Sequence, residues 1–155
     1  MQKTSRRSFL KLAGAGTAVV AGAAVPAVAH VFDDRTGRVA VRAIGGVPAG
    51  PLPSYATYAL DGYVDPVGQT GMLNRTVFAG APSAVSRIAL PGLSRTVLVT
   101  DVSREGRTLH VKGTVADRSQ LLPGESAEVE IWIDWGSGLV RTRSGASDME
   151  LTLQA

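Results

Sequence analysis

Between Ser126 and Trp135 the chain alternates with a two-residue period, and few local structures accept that pattern. Val129, Ile131, Ile133 and Trp135 fall on one side, while Glu128, Glu130, Trp132 and Asp134 fall on the other. Successive side chains of a strand point to opposite faces, so the segment reads as a strand with one buried face. Gly136-Ser137 then fits a two-residue hairpin turn with glycine first. The register this implies sets Trp132 opposite Arg141, Glu130 opposite Arg143 and Ile133 opposite Val140. Apolar groups meet on one face and charges pair on the other, so the register is self-consistent.

The same period recurs over Arg38–Ile44, Tyr55–Val64 and Asp148–Gln154, and further strands are read at Leu73–Ala79, Arg87–Leu90, Arg95–Ser103 and Arg107–Ala116. Within Asp148–Gln154, Met149, Leu151 and Leu153 share the inner face. Gly45–Pro53 holds three prolines and three glycines and reads as a loop, as does Asp65–Gly71. Arg104-Glu105-Gly106 reads as a three-residue hairpin loop, and Leu122-Pro123-Gly124-Glu125 as a turn. No helical period follows residue 29. Seven or eight short strands separated by turns predict an all-β, antiparallel sandwich or small barrel. The stretch from Gln120 to Trp132 is similar to the "L-x-P-G-E-S-x-x-V-x-V" strand start of immunoglobulin-like domains in bacterial surface proteins. That resemblance implies an immunoglobulin-like β-sandwich and tips the expectation toward that fold.

The N-terminus has a different character. Ser5-Arg6-Arg7-Ser8-Phe9-Leu10-Lys11 is followed by an Ala/Gly/Val-rich run from Leu12 to Val25, then Pro26 and Ala27-Val28-Ala29. It resembles a bacterial twin-arginine export signal, with Arg6, Arg7, Phe9, Leu10 and Lys11 at the motif positions. The resemblance implies transport across the membrane in the folded state. It also implies cleavage after Ala29 and a mature domain, residues 30–155, that is periplasmic, cell-surface or secreted. The apolar run is shorter than the roughly 20 residues of a spanning helix and has the length of a signal core. Membrane contact is thus expected only through this transient segment, an uncleaved anchor being the alternative.

Removing that segment changes the charge balance. The whole chain carries 16 basic and 13 acidic residues, but Lys3, Arg6, Arg7 and Lys11 lie in the signal. Residues 30–155 keep 12 bases against 13 acids, a net of −1, with no concentrated basic stretch. A nucleic-acid partner is therefore not expected. The chain has no cysteine, which excludes disulfides, zinc–thiolate sites, iron–sulfur clusters and thiol nucleophiles. Stability must come from an apolar core, which a domain of this size can build.

Few residues offer chemistry. The chain has two histidines, His30 and His110. If cleavage follows Ala29, His30 presents an α-amine and an imidazole together. With His110 they would make a three-nitrogen site suited to copper. Exported copper carriers and copper monooxygenases resemble this at their N-termini, and copper is the one cofactor considered. Glu128, Glu130 and Asp134 share a face, but Arg141 and Arg143 stand ready as partners, so solvated cross-strand pairs are expected rather than a catalytic dyad. No G-x-S-x-G elbow occurs, since Gly136-Ser137-Gly138 is a hairpin tip. Trp132, on the polar face beside Arg141, is the candidate platform for a sugar ring or an interface anchor. Tyr55, Tyr58 and Tyr63 are expected to be structural. The sequence therefore points to an exported, non-enzymatic module binding a protein or an envelope polymer. The alternatives are a copper protein using His30 and His110, and a small subunit exported with a partner.

Overall fold

Each alternating segment forms a strand, and the strands join edge to edge into a ring. The computed structural model describes residues 32–33, 37–49, 54–83 and 88–154. The strands are β1 (Phe32–Asp33), β2 (Arg38–Ala49), β3 (Ser54–Asp65), β4 (Thr70–Ala79), β5 (Ile88–Ala89), β6 (Arg95–Glu105), β7 (Thr108–Val115), β8 (Glu128–Asp134), β9 (Leu139–Ser144) and β10 (Ser147–Leu153). A single 3₁₀ turn, Arg118–Gln120, stands between β7 and β8. Eight strands run β2-β3-β4-β6-β7-β8-β9-β10, all neighbours antiparallel, and β10 returns to pair with β2. The short β1 lies against the start of β2, and β5 extends the far end of β4.

This closed barrel corrects the expected immunoglobulin-like sandwich. Alternation is common to both folds, because each buries one face of every strand. Closure separates them, and it is made where β10 pairs with the end of the expected strand Arg38–Ile44, next to the segment read as a loop at Gly45–Pro53. Of that segment Gly45–Ala49 continues β2, which pairs with β3 from Val39↔Val64 through Ala49↔Ser54. On its other edge β2 meets β10 at Ala43↔Leu153 and Ile44↔Thr152. Gly45 makes the approach feasible: a Cβ there would lie 2.7 Å from both the Glu150 carbonyl oxygen and Leu151 Cδ2. Pro48 sits past the β10 pairing, where β2 has a ladder partner on one edge, a position that tolerates proline.

The inner positions form one core. Val39, Val41, Leu60, Val64, Leu73, Val97, Val111, Ile131, Ile133 and Val140 are all at most 2% exposed. In β6 the register slips between Val99 and Asp101, and this bulge lets Val99 and Val102 both face inward. The predicted pairs Trp132↔Arg141, Glu130↔Arg143 and Ile133↔Val140 are all present. The turn beyond them is wider than expected, since the last pair is Asp134↔Leu139 and Gly138 takes φ 72°. The loop expected at Arg104–Gly106 lies at Gly106-Arg107 instead, with Glu105 paired to Thr108.

The two ends of the barrel differ. Val64, Val102, Leu109, Ile133, Val140 and Leu153 fill one end, where the connections are short turns. The connections β4–β6 and β7–β8 meet at the other end, and there the inner positions turn polar. The outer surface carries charged rows such as Lys112, Glu130, Arg143 and Asp148 across β7 to β10. A lipid-facing barrel would carry an apolar band there.

Candidate functional site

Two groups of residues are candidates for a site, one outside the barrel and one in its polar mouth. On the outside, the Trp132 indole is already occupied. The His110 ring stacks on it from β7, with centroids 4.8 Å apart and planes 5° from parallel. From β9 the Arg143 guanidinium sits 5.2 Å from the Trp132 centroid. Arg141, the expected companion, is the backbone partner of Trp132 but turns away: its Nε donates to Asp148 Oδ1 at 2.9 Å. That bond and the Arg141 charge hold the Asp148 carboxyl below its ordinary value of 3.8. His110 Nε2 lies 3.8 Å from Glu130 Oε1, is buried and makes no hydrogen bond among the described residues. Among the described residues no group of three or more His, Cys, Asp and Glu is arranged to hold a metal. His30 and the signal residues Arg6, Arg7, Phe9, Leu10 and Lys11 lie outside the described residues.

The mouth is built by strand phase. Arg75 shares the inner phase of β4 with Leu73 and Val77, and Arg95 shares that of β6 with Val97 and Val99; the two are cross-strand partners. Two guanidinium groups side by side inside a barrel need a counter-charge, and the β7–β8 connection supplies it. Leu122-Pro123-Gly124-Glu125 forms a β-turn in which the Glu125 N–H donates to the Leu122 carbonyl at 2.9 Å. Gly124 takes φ 83°, the left-handed value that position three of a type II turn requires, and Pro123 suits position two. The turn swings Glu125 over the mouth and onto both arginines.

The resulting cluster is tightly bonded. Arg95 Nη2 donates to Glu125 Oε2 at 2.9 Å and its Nε to Oε1 at 3.2 Å, a bidentate pair. Arg95 Nη1 donates to the carbonyls of Gly92 and Ser94 at 2.6 and 2.9 Å, tying down the loop before β6. Arg75 Nη2 donates to Glu125 Oε1. The side chains of Arg95, Arg75 and Glu125 are 2%, 13% and 14% exposed. Burial alone would raise the Glu125 carboxyl. The bonds from Arg95 and the Leu122 N–H, with the charges of both arginines, outweigh it and hold the group below its ordinary 4.5.

These residues border a cavity of about 530 Å³. Tyr58, Ser144 and Ser147 give it hydroxyls; Val77, Leu93, Leu122 and Met149 give it apolar wall. Sequence reasoning passed over Arg75 and Arg95, although their phase was readable: each stands two residues from inward aliphatics on an alternating strand. Glu125 carried no such signal, because only the tertiary position of its turn brings it to the arginines. Comparison with protein-family models, curated proteins and solved structures finds no match.

Proposed function

We propose that this chain is an exported, non-enzymatic binding module that holds a small amphipathic molecule in the mouth of its barrel. The observation behind this reading is one cavity of about 530 Å³ combining apolar walls with a charged rim. Small-molecule sites run from about 300 to 1,000 Å³, are mostly apolar with a few fixed polar groups, and favour barrel mouths. Glu125 supports binding over acid–base chemistry. It is the counter-ion of two guanidinium groups, whereas a general base works best with its pKa near the operating pH. Export is part of the proposal through Arg6-Arg7 and the Ala27-Val28-Ala29 site. The outer face offers less: a sugar ring or partner stacking on Trp132 would first have to displace His110 or Arg143.

The neutral dye N-phenyl-1-naphthylamine, which brightens in apolar sites, tests this reading. The purified protein is expected to bind one equivalent saturably, and Met149→Trp, which fills the mouth, to abolish the signal. No saturable binding would overturn the reading. So would binding that survives Met149→Trp but is lost in Trp132→Ala.

A further inference from the structure

Resting on the mouth as the binding site, we infer that the ligand's polar end is a single carboxylate taken up by Arg75. Among the described residues the charged groups lining the cavity are Arg75, Arg95 and Glu125, two positive charges against one negative, a net of +1. The three groups are not equally satisfied. Glu125 is full: Oε1 accepts from Arg75 Nη2 and Arg95 Nε, and Oε2 accepts from Arg95 Nη2 and the Leu122 N–H. A carboxylate offers about four acceptor positions, and all are in use. Arg95 is also committed, with Nε and both Nη atoms bonded. Arg75 makes one hydrogen bond among the described residues, through Nη2, and its buried Nε has no acceptor.

A guanidinium presents five N–H donors, and buried donors left unpaired are costly. Among the described residues Arg75 therefore borders the cavity with donors to spare beyond the one that Glu125 accepts. The Nη donors that Glu125 leaves unused, rather than the buried Nε, are what a ligand oxygen would meet, and a negative one also neutralises the rim. One negative charge suffices. A phosphate head, carrying close to two, would overshoot the +1 and crowd the Glu125 carboxylate. Val77, Leu93, Leu122 and Met149 then receive an apolar tail beside the charged head.

Calorimetric titration with decanoate, decan-1-ol and decyl phosphate at neutral pH tests the inference. Decanoate is expected to bind one-to-one and about 10- to 100-fold more tightly than decan-1-ol, the range for a charge-assisted hydrogen bond. Arg75→Met is expected to remove that preference while still binding N-phenyl-1-naphthylamine, which shows that the mouth has formed. If Arg75→Met does not bind the dye, the decanoate-to-decanol ratio of the wild-type protein decides. Equal affinity for decanoate and decan-1-ol, tighter binding of decyl phosphate, or an undiminished preference in a dye-binding Arg75→Met protein would overturn the carboxylate assignment. In each of those cases dye binding by the wild type leaves the mouth as a site. Failure of the wild type to bind the dye would instead remove the mouth reading itself.

Discussion

Glu125 and Glu130 are the same residue type in opposite situations, and their contrast shows how environment sets an interaction's worth. Glu130 stands on the outer face, 38% exposed at its side chain, with His110 and Arg143 as neighbours. Glu125 is the shared partner of two largely buried arginines. Removing one member of a buried ion cluster leaves uncompensated charge and costs about 3–5 kcal/mol, whereas exposed pairs contribute about 0–1 kcal/mol. Glu125→Ala is thus expected to lower stability by several kcal/mol in denaturant titration, and Glu130→Ala by less than about 1. The same residue sets an acid response. Its pKa is lower folded than unfolded, so its contribution is complete above the ordinary value of 4.5. The contribution is lost as pH falls through the depressed folded value. The wild-type melting temperature should drop on acidification below about pH 4.5, and Glu125→Gln should flatten that decline. Equal costs at the two glutamates would mean that the mouth cluster is not buried as described.

At the scale of elements, the seam between β2 and β10 turns a curled sheet into a barrel. Its tightest point is Gly45, where an added methyl would meet the backbone oxygen of Glu150, a group that cannot swing aside. Gly45→Ala is expected to cost about 1–3 kcal/mol, as overpacking does. It should also speed exchange of the Gln154 amide, which donates to the Arg42 carbonyl across the seam at 2.8 Å. The Ile131 amide, far round the barrel, should be unaffected. Unchanged exchange at Gln154 would contradict the closure. The seam was also the least legible element. Strand existence, the inner face of β8 and the β8–β9 register could be read because alternation and charge pairing are local. Closure could not, because β2 and β10 lie more than 100 residues apart and the pattern of a closed sheet equals that of two stacked ones. Glycine and proline punctuation misled at Gly45–Ala49, where glycine marks a close crossing rather than a loop.

For the molecule as a whole, the division of labour runs along the barrel axis. One end is filled with aliphatic side chains, and the other holds three charged groups bordering an open cavity. Two of those three groups, Arg75 and Arg95, were overlooked although their phase could be counted on their strands. Glu125 was not legible, because its role arises only when the β7–β8 turn folds over the mouth. The outer candidates, Trp132 and Arg141, stand on the predicted face but engage His110, Arg143 and Asp148. Binding is proposed in the mouth and not on this outer face, and a ¹⁵N-resolved NMR titration with decanoate distinguishes the two. The amides of Tyr58, Val77, Arg95, Glu125 and Ser147 are expected to shift together and saturate, while those of His110, Trp132 and Arg141 stay still. Shifts confined to the outer face of β7–β9, or a mouth that remains silent at saturating decanoate, would contradict binding in the mouth.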